Sequence, residues 1–254
     1  MTDAHAHLED ERLNNQINDV LLRAKNCGVN KIICVGTNSQ KNKKCVEIAN
    51  NFDCVWAAVG LYPEYCKEFD DNLTQEIISL CSNKKVVAIG EIGLDYHITK
   101  EDADIQKKVF VQQLDLANSL NLPIQIHCRQ AMGEMIDILK QNKSKLARGG
   151  IMHCFSGSVE SAKQLLDLGL KLSVGGTLTF PNSKTLQEVA KELTLDSFVL
   201  ETDSPYLAPQ PVRGTTNEPA NVAMVAKFLA SIKDVDVCQV ERVTENNIKK
   251  VFGI

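Results

Sequence analysis

Short apolar runs alternate with amphipathic stretches along the whole chain. The runs that read as strands lie near residues 1–5, 31–36, 55–60, 86–91, 123–127, 150–154, 170–175 and 197–202. The segments between them carry a helical period. Ile17, Val20, Leu21 and Ala24 make one apolar stripe, and Ile105, Val109, Leu114 and Ala117 make another. Eight β-then-α units predict the α/β class and a (β/α)8 TIM barrel, one domain over residues 1–254. A doubly wound open sheet is the competing architecture. Four of the seven prolines fall between Pro205 and Pro219, which reads as a rigid loop after the last strand. Residues 218–252 are helical in pattern and are expected to close the barrel.

Polar residues stand where these strands end. In Asp3-Ala4-His5-Ala6-His7, side chains two apart point the same way, so His5 and His7 form a pincer for a metal ion. His127 ends Pro123-Ile124-Gln125-Ile126-His127, and His153 ends Gly150-Ile151-Met152-His153. Glu91 closes the run from Val86, and Asp203 closes the run from Phe198. A charge at the end of a buried strand is unfavourable unless it is paired or bound to a metal. Four imidazoles and two carboxylates exceed the needs of one four-coordinate ion. They suit two divalent ions that share a bridging carboxylate. The six residues come from strands 1, 4, 5, 6 and 8, and only a closed barrel brings strand 1 beside strand 8. Barrel active sites lie at the carboxyl ends of strands, where these residues fall. His97 lacks an apolar frame and reads as an ordinary loop residue.

Composition narrows the setting. The apolar fraction of 44% is ordinary for a globular protein. A net charge of −4 argues against a positive coat for tight non-specific DNA binding, while leaving room for a local basic site. Lys41, Lys43 and Lys44 read as a solvated helix face. The nine cysteines include no C-x-x-C pair, which fits a reducing compartment. Cys34 and Cys54 read as small buried hydrophobes. Cys128 and Cys154 each follow a candidate ligand, and alternation is expected to turn them away from the metal. No apolar run approaches membrane-spanning length, and no signal-peptide pattern precedes the first motif. A soluble, cytoplasmic protein without a membrane partner is the expectation.

Together these motifs resemble the TatD family of metal-dependent hydrolases, within the amidohydrolase-like barrels. The matching stretches are Asp3 to Leu8, Gly90-Glu91-Ile92-Gly93-Leu94-Asp95-Tyr96, Ile126-His127-Cys128-Arg129, His153 to Gly157 and Glu201-Thr202-Asp203-Ser204-Pro205-Tyr206-Leu207. Asn217-Glu218-Pro219 and the segment from Asn246 to Gly253 fit as well, in the family's order. The resemblance implies divalent-metal-dependent hydrolysis of DNA phosphodiester bonds, from the 3′ end of single strands. Some relatives remove D-amino acids from transfer RNA, which leaves ester hydrolysis of that kind as an alternative.

The resemblance and the number of ligands imply that His5 and His7 hold one ion and that His127 and His153 hold the second. Glu91 would bridge them. Asp203 would bind the first ion and take a proton from the attacking water. Histidine ligation favours zinc, whereas phosphate chemistry favours magnesium or manganese. Arg129 and Arg213 are candidate phosphate contacts. Tyr96, Phe155, Phe180 and Tyr206 are each either loop core or a platform for stacked bases. Glu201 is either a support or a further ligand. Family members often carry His where this chain has Tyr62, and Lys-Arg where it has Thr215-Thr216. Tyr62 is therefore either an aromatic plug or a hydrogen-bond donor to a phosphate oxygen. Two other classes compete. An amide or lactone hydrolase of the wider superfamily would often bridge its metals with a carbamylated lysine, where this chain has Glu91. A non-catalytic binding protein would have lost ligands, and all six are present.

Overall fold

A computed structural model describes residues 1–97 and 100–254. Its eight strands are β1 Thr2–Ala6, β2 Lys31–Val35, β3 Val55–Val59, β4 Val86–Asp95, β5 Ile124–Arg129, β6 Gly150–Met152, β7 Leu170–Val174 and β8 Phe198–Leu200. They pair in parallel in the order of the sequence. An open doubly wound sheet would break that order. The barrel nearly closes through a parallel bridge between Ala6 and Ser204. Three contacts complete the seam. His7 N donates to Ser204 O at 2.7 Å, and Asp203 N donates to His5 O at 2.9 Å. The Asp3 carboxyl accepts from Thr202 N at 2.9 Å and from its Oγ1 at 2.6 Å.

The helices are α1 Glu11–Asn14, α2 Ile17–Asn26, α3 Ser39–Asn51, α4 Asp71–Cys81, α5 Ala103–Ser119, α6 Met132–Gln141, α7 Val159–Asp167, α8 Lys184–Glu192, α9 Val222–Lys233 and α10 Val237–Phe252. Asn38, Asp70 and Ser158 start α3, α4 and α7 by accepting a backbone N–H of the first turn. No helix among the described residues is long and apolar enough to cross a membrane. Most of the core lies between the helices and the barrel. A second cluster joins Ile33, Val35, Ala58 and Ala88 to Ile248, Val251 and Phe252 of α10. Thr2 and Lys31, which open β1 and β2, both reach Glu245 on α10. The last helix therefore covers the amino-terminal mouth, as the pattern over 218–252 suggested.

One expected stripe is corrected. Ile105 is 40% exposed, and α5 instead buries Gln106 and Gln113 beside Val109, Phe110 and Leu114. The Gln106 amide bonds to the backbone N and O of Asp95, and the Gln113 amide to those of Leu61. Buried backbone groups beyond the ladders need such partners, so two polar residues displace an apolar one.

Candidate metal centre

The carboxyl ends of the strands bring His5, His7, Glu91, His127, His153 and Asp203 together. β4 continues past Glu91 to Asp95, so Glu91 stands within the strand, 3% exposed. Its two oxygens face different imidazoles. Oε2 lies 3.6 Å from His5 Nε2 and 3.7 Å from His7 Nε2. Oε1 lies 2.8 Å from His127 Nδ1 and 3.8 Å from His153 Nε2. Asp203 Oδ1 is 3.4 Å from His7 Nε2, 3.9 Å from His5 Nε2 and 3.8 Å from His153 Nε2. β8 ends at Leu200, and Asp203 has φ 56°. That left-handed conformation is unfavourable by about 1 kcal/mol for a residue with a Cβ. The bond to His5 O holds it, and the turn aims the carboxylate inward. Gly93 has φ 146°, and a Cβ there would run into the His127 backbone. Glycine thus lets β4 and β5 approach beside this ligand.

Each imidazole is oriented from behind. His5 Nδ1 donates to Gln125 Oε1 at 2.8 Å, and the Gln125 amide is itself fixed by donating to Ala4 O. His7 Nδ1 donates to Val35 O at 2.9 Å. His153 Nδ1 donates to Glu201 Oε2 at 3.0 Å, and Glu201 Oε1 accepts from Cys154 N at 2.7 Å. His127 Nε2 donates to Asp95 Oδ2 at 3.0 Å. In every case the remaining nitrogen faces the centre, and a metal ligand needs the tautomer that leaves the proton on the nitrogen bonded from behind. His5 Nε2 is buried with no hydrogen-bond partner among the described residues, and His127 Nδ1 is buried 2.8 Å from Glu91 Oε1 without hydrogen-bond geometry to it. Orphaned atoms of that kind, converging on shared carboxylates, fit divalent metal ions.

The electrostatics of the metal-free centre follow from the same contacts. Burial opposes the charge on Glu91, yet the His127 and His5 imidazoles hold its carboxyl well below the usual range. Asp203 is likewise lowered against burial, by His153 and His7. Burial also opposes charge on His153, but Glu201 and Asp203 push it up to about 9. Asp95 falls to about 2 against its burial, through bonds from His127 and Tyr62.

A cavity of about 720 Å³ opens over this centre. Tyr62, Arg129 and Tyr206 line it. The Tyr62 hydroxyl donates to Asp95 Oδ2 at 2.6 Å, and its ring meets His127 edge-on. Its hydroxyl is thus engaged with the carboxylate behind His127, and it also lies 3.2 Å from His127 Nε2. Arg129 is exposed and makes no ion pair among the described residues. Tyr206 is 44% exposed, and the Arg12 guanidinium lies 4.6 Å over its ring. Arg12 is in turn held by two 2.8 Å bonds to Asp10. Arg213 stands outside the cavity lining and stacks on Phe180 at 4.3 Å. Phe155 and Tyr96 are buried, so they are loop core. Thr215 and Thr216 are exposed, away from the lining.

Several readings change. Glu201 supports His153 from behind. Cys128 and Cys154 both contribute to the cavity wall, because β5 runs on to the rim and Cys154, at φ 43°, lies in a turn where alternation fails. Burial pushes the Cys128 thiol up to about 12, which keeps it neutral. Cys34 is fully buried and Cys54 half-buried. Lys41 lines the cavity, whereas Lys43 and Lys44 pair with surface glutamates. His97 lies on the surface and bonds to Gln130. The loop after β8 is tied down by Asn217, whose amide reaches Thr202 O and Tyr206 O. Asp95, Gln125 and Arg12 were not singled out by the sequence. Asp95 lies inside a quoted motif, and Gln125 is a polar residue within an apolar run two positions before a ligand. Arg12 offers no comparable signal.

The chain resembles known proteins over its full length. The family model described as "TatD related DNase" matches residues 2–253. An uncharacterized metal-dependent hydrolase, YabD, of Bacillus subtilis (strain 168) is 40% identical, over 99% of this chain and 98% of its own. The 3′-5′ ssDNA/RNA exonuclease TatD of Shigella flexneri serotype 5b (strain 8401) is 29% identical, over 100% and 99%. Among solved structures, the TatD homologue YJJV of Escherichia coli K12 superposes with a TM-score of 0.93 at 30% identity, over 100% and 98% of the two chains. The chain belongs to the TatD-related DNase family and is a metal-dependent hydrolase.

Proposed function

We propose that the chain is a two-metal-ion phosphodiesterase that shortens single-stranded DNA from its 3′ end in the cytoplasm. The observation that carries this reading is the division of Glu91, one oxygen toward His5 and His7 and the other toward His127 and His153. His5, His7 and Asp203 would hold one ion, His127 and His153 the other, with Glu91 shared. Divalent ions held there lower the pKa of water to about 7 and offset the charge that builds on a phosphate.

The residues of the chain do the rest. Gln125, the Val35 carbonyl, Glu201 and Asp95 fix the four rings, so no reorganisation is needed as charge develops. Asp203 is low enough in pKa to be ionised, and it accepts the proton of the attacking water. Arg129 lines the cavity, without an ion pair among the described residues, and its planar fork suits two phosphate oxygens. Tyr206, stiffened by Arg12, offers a sequence-tolerant surface for a base. The relative named as an exonuclease on single-stranded DNA and RNA favours the same chemistry.

The test is a metal-by-substrate panel on purified protein. Chelation should abolish hydrolysis, and manganese, magnesium or zinc should restore it. A 5′-labelled single strand should then shorten stepwise, duplex should react weakly, and a closed circular single strand should resist. Full activity after thorough demetallation would refute the metal mechanism. Efficient cutting of the circle would refute the end requirement. Preference for an aminoacyl ester over every nucleic acid would assign the site to ester hydrolysis.

A further inference from the structure

Beyond β2 the chain passes through Val35, Gly36 and Thr37, and all three are tied to the metal centre. Val35 O accepts from His7 Nδ1 at 2.9 Å. Gly36 O accepts from Glu91 N at 3.1 Å, and Thr37 O accepts from Tyr62 N at 2.9 Å. Thr37 therefore has a fixed backbone beside the candidate ligands. It lines the cavity while only 7% exposed. Its Oγ1 is buried without a hydrogen-bond partner among the described residues. A buried hydroxyl left without a partner is rare in folded proteins and leaves a donor free for a group that enters the cavity.

Lys41 stands four residues on, in the first turn of α3, and lines the same cavity. Its Nζ is 3.7 Å from Glu9 Oε1. The Glu9 side chain is only 2% exposed, and that oxygen has no hydrogen bond among the described residues. A buried carboxylate thus draws this one lysine of the cluster to the cavity wall. The wall then offers a hydroxyl that can donate and an ammonium that can only donate. Glu9 offsets part of the ammonium charge, but both groups present donors to the cavity, and donors suit an anion with several acceptor oxygens. The two groups sit on the side of the His7 contacts, so the anion would be a neighbour of the group being cleaved.

We propose that Thr37 Oγ1 and Lys41 Nζ form a subsite for a second phosphoryl group, one phosphate away from the scissile bond. The enzyme would then recognise a nucleotide chain by two consecutive phosphates. This rests on the phosphodiesterase reading above. The second phosphate can be an interior diester or a terminal monoester, and both present the same oxygens.

The test compares three thymidine substrates: a dinucleotide with one phosphate, a trinucleotide with two, and a dinucleotide that also bears a 5′-terminal phosphate. The wild type should show a KM about tenfold lower for a two-phosphate substrate than for the one-phosphate dinucleotide, the scale of one hydrogen bond to a charged group. Thr37→Val, which keeps the volume, and Lys41→Met should each remove most of that advantage. Thr37→Ser, which keeps the hydroxyl, should restore it, and melting curves should be close to that of the wild type. A gain for the trinucleotide alone would assign the subsite to an interior diester, and a gain for both would assign it to any phosphoryl group. The same KM increase on all three substrates, or none, overturns the proposal. Hydrolysis of bis(4-nitrophenyl) phosphate reports separately on the phosphodiesterase reading. If no phosphodiester is cleaved, inorganic phosphate titrated calorimetrically into metal-loaded protein decides the subsite. Binding about tenfold weaker in Lys41→Met supports it, and equal binding overturns it.

Discussion

Glu201→Gln is the substitution that asks most sharply how the centre is built. Glu201 is fully buried, and both oxygens are used, by His153 Nδ1 at 3.0 Å and by Cys154 N at 2.7 Å. Glutamine has the same shape but one acceptor, so one of these two donors must face an amide NH2. Leaving a buried donor unpaired should destabilise the metal-free protein by about 1–3 kcal/mol. For a chain of this size that lowers the melting temperature by roughly 2–4 °C per kcal/mol. The second consequence concerns one metal position only. An imidazole that loses its carboxylate partner weakens metal affinity by about 10- to 100-fold. His5 and His7 hydrogen-bond to neutral oxygens of Gln125 and Val35 and should hold their ion nearly unchanged. Manganese titrated into metal-free protein, followed by calorimetry and electron paramagnetic resonance, should resolve one tight and one weakened site. Equal weakening of both sites, or of neither, would refute the reasoning.

Glu91→Ala should lose both ions together, read as metal content per chain after dialysis; retention of one ion would make Glu91 a ligand of a single site. Asp203→Asn should keep the fold but slow turnover by at least about 100-fold with metal bound, and near-normal turnover would place the base elsewhere. Tyr62→Phe removes the bond to the Asp95 carboxylate and should lower stability to denaturant by about 1–2 kcal/mol; unchanged stability with slower turnover would mean that the phenol serves the substrate instead. Burial pushes the Asp3 carboxyl up to about 8, so in metal-free protein it keeps a proton that the unfolded chain, with a pKa near 3.9, has released. From about pH 4 to about pH 8 the wild type should lose stability relative to Asp3→Asn by at most about 1.4 kcal/mol per pH unit, then run parallel, and a flat difference would show that Asp3 is ionised when folded.

The barrel was legible because its signal is local. Eight apolar runs with helical periods between them are visible in single windows of sequence, and all eight strands fall where those runs lie. The six candidate ligands were legible because strand ends in this architecture converge, so their positions along the chain stood in for positions in space. The supports were harder to see. His153 depends on Glu201, 48 residues away, and His5 depends on Gln125, 120 residues away. No periodicity couples such pairs. Alternation also failed where the strands stop. Asp203 and Cys154 both adopt positive φ, so counting faces by twos gives the wrong answer for Cys154, which contributes to the cavity wall.

The departure at Tyr62 shows how such an unseen partner changes a reading. Considered alone, a tyrosine at the end of β3 could be a plug or a phosphate donor, and nothing nearby in the sequence decides. The group that bears on it is Asp95, which sits beyond Glu91 on a strand longer than the apolar run suggested. Asp95 Oδ2 takes the phenol at 2.6 Å and the His127 ring at 3.0 Å on one oxygen. The two donors share the charge of one carboxylate, and each weakens the pull that the other feels. Tyr62 thus meets His127 in two ways, by sharing the charge of Asp95 and directly, its hydroxyl lying 3.2 Å from His127 Nε2. His153 has no such competitor on Glu201 Oε2 among the described residues, since the second bond to that carboxylate goes to its other oxygen. The two imidazoles assigned to the second ion are thus backed unequally. His127 is the candidate ligand whose surroundings a change at position 62 alters, through Asp95 and by direct contact.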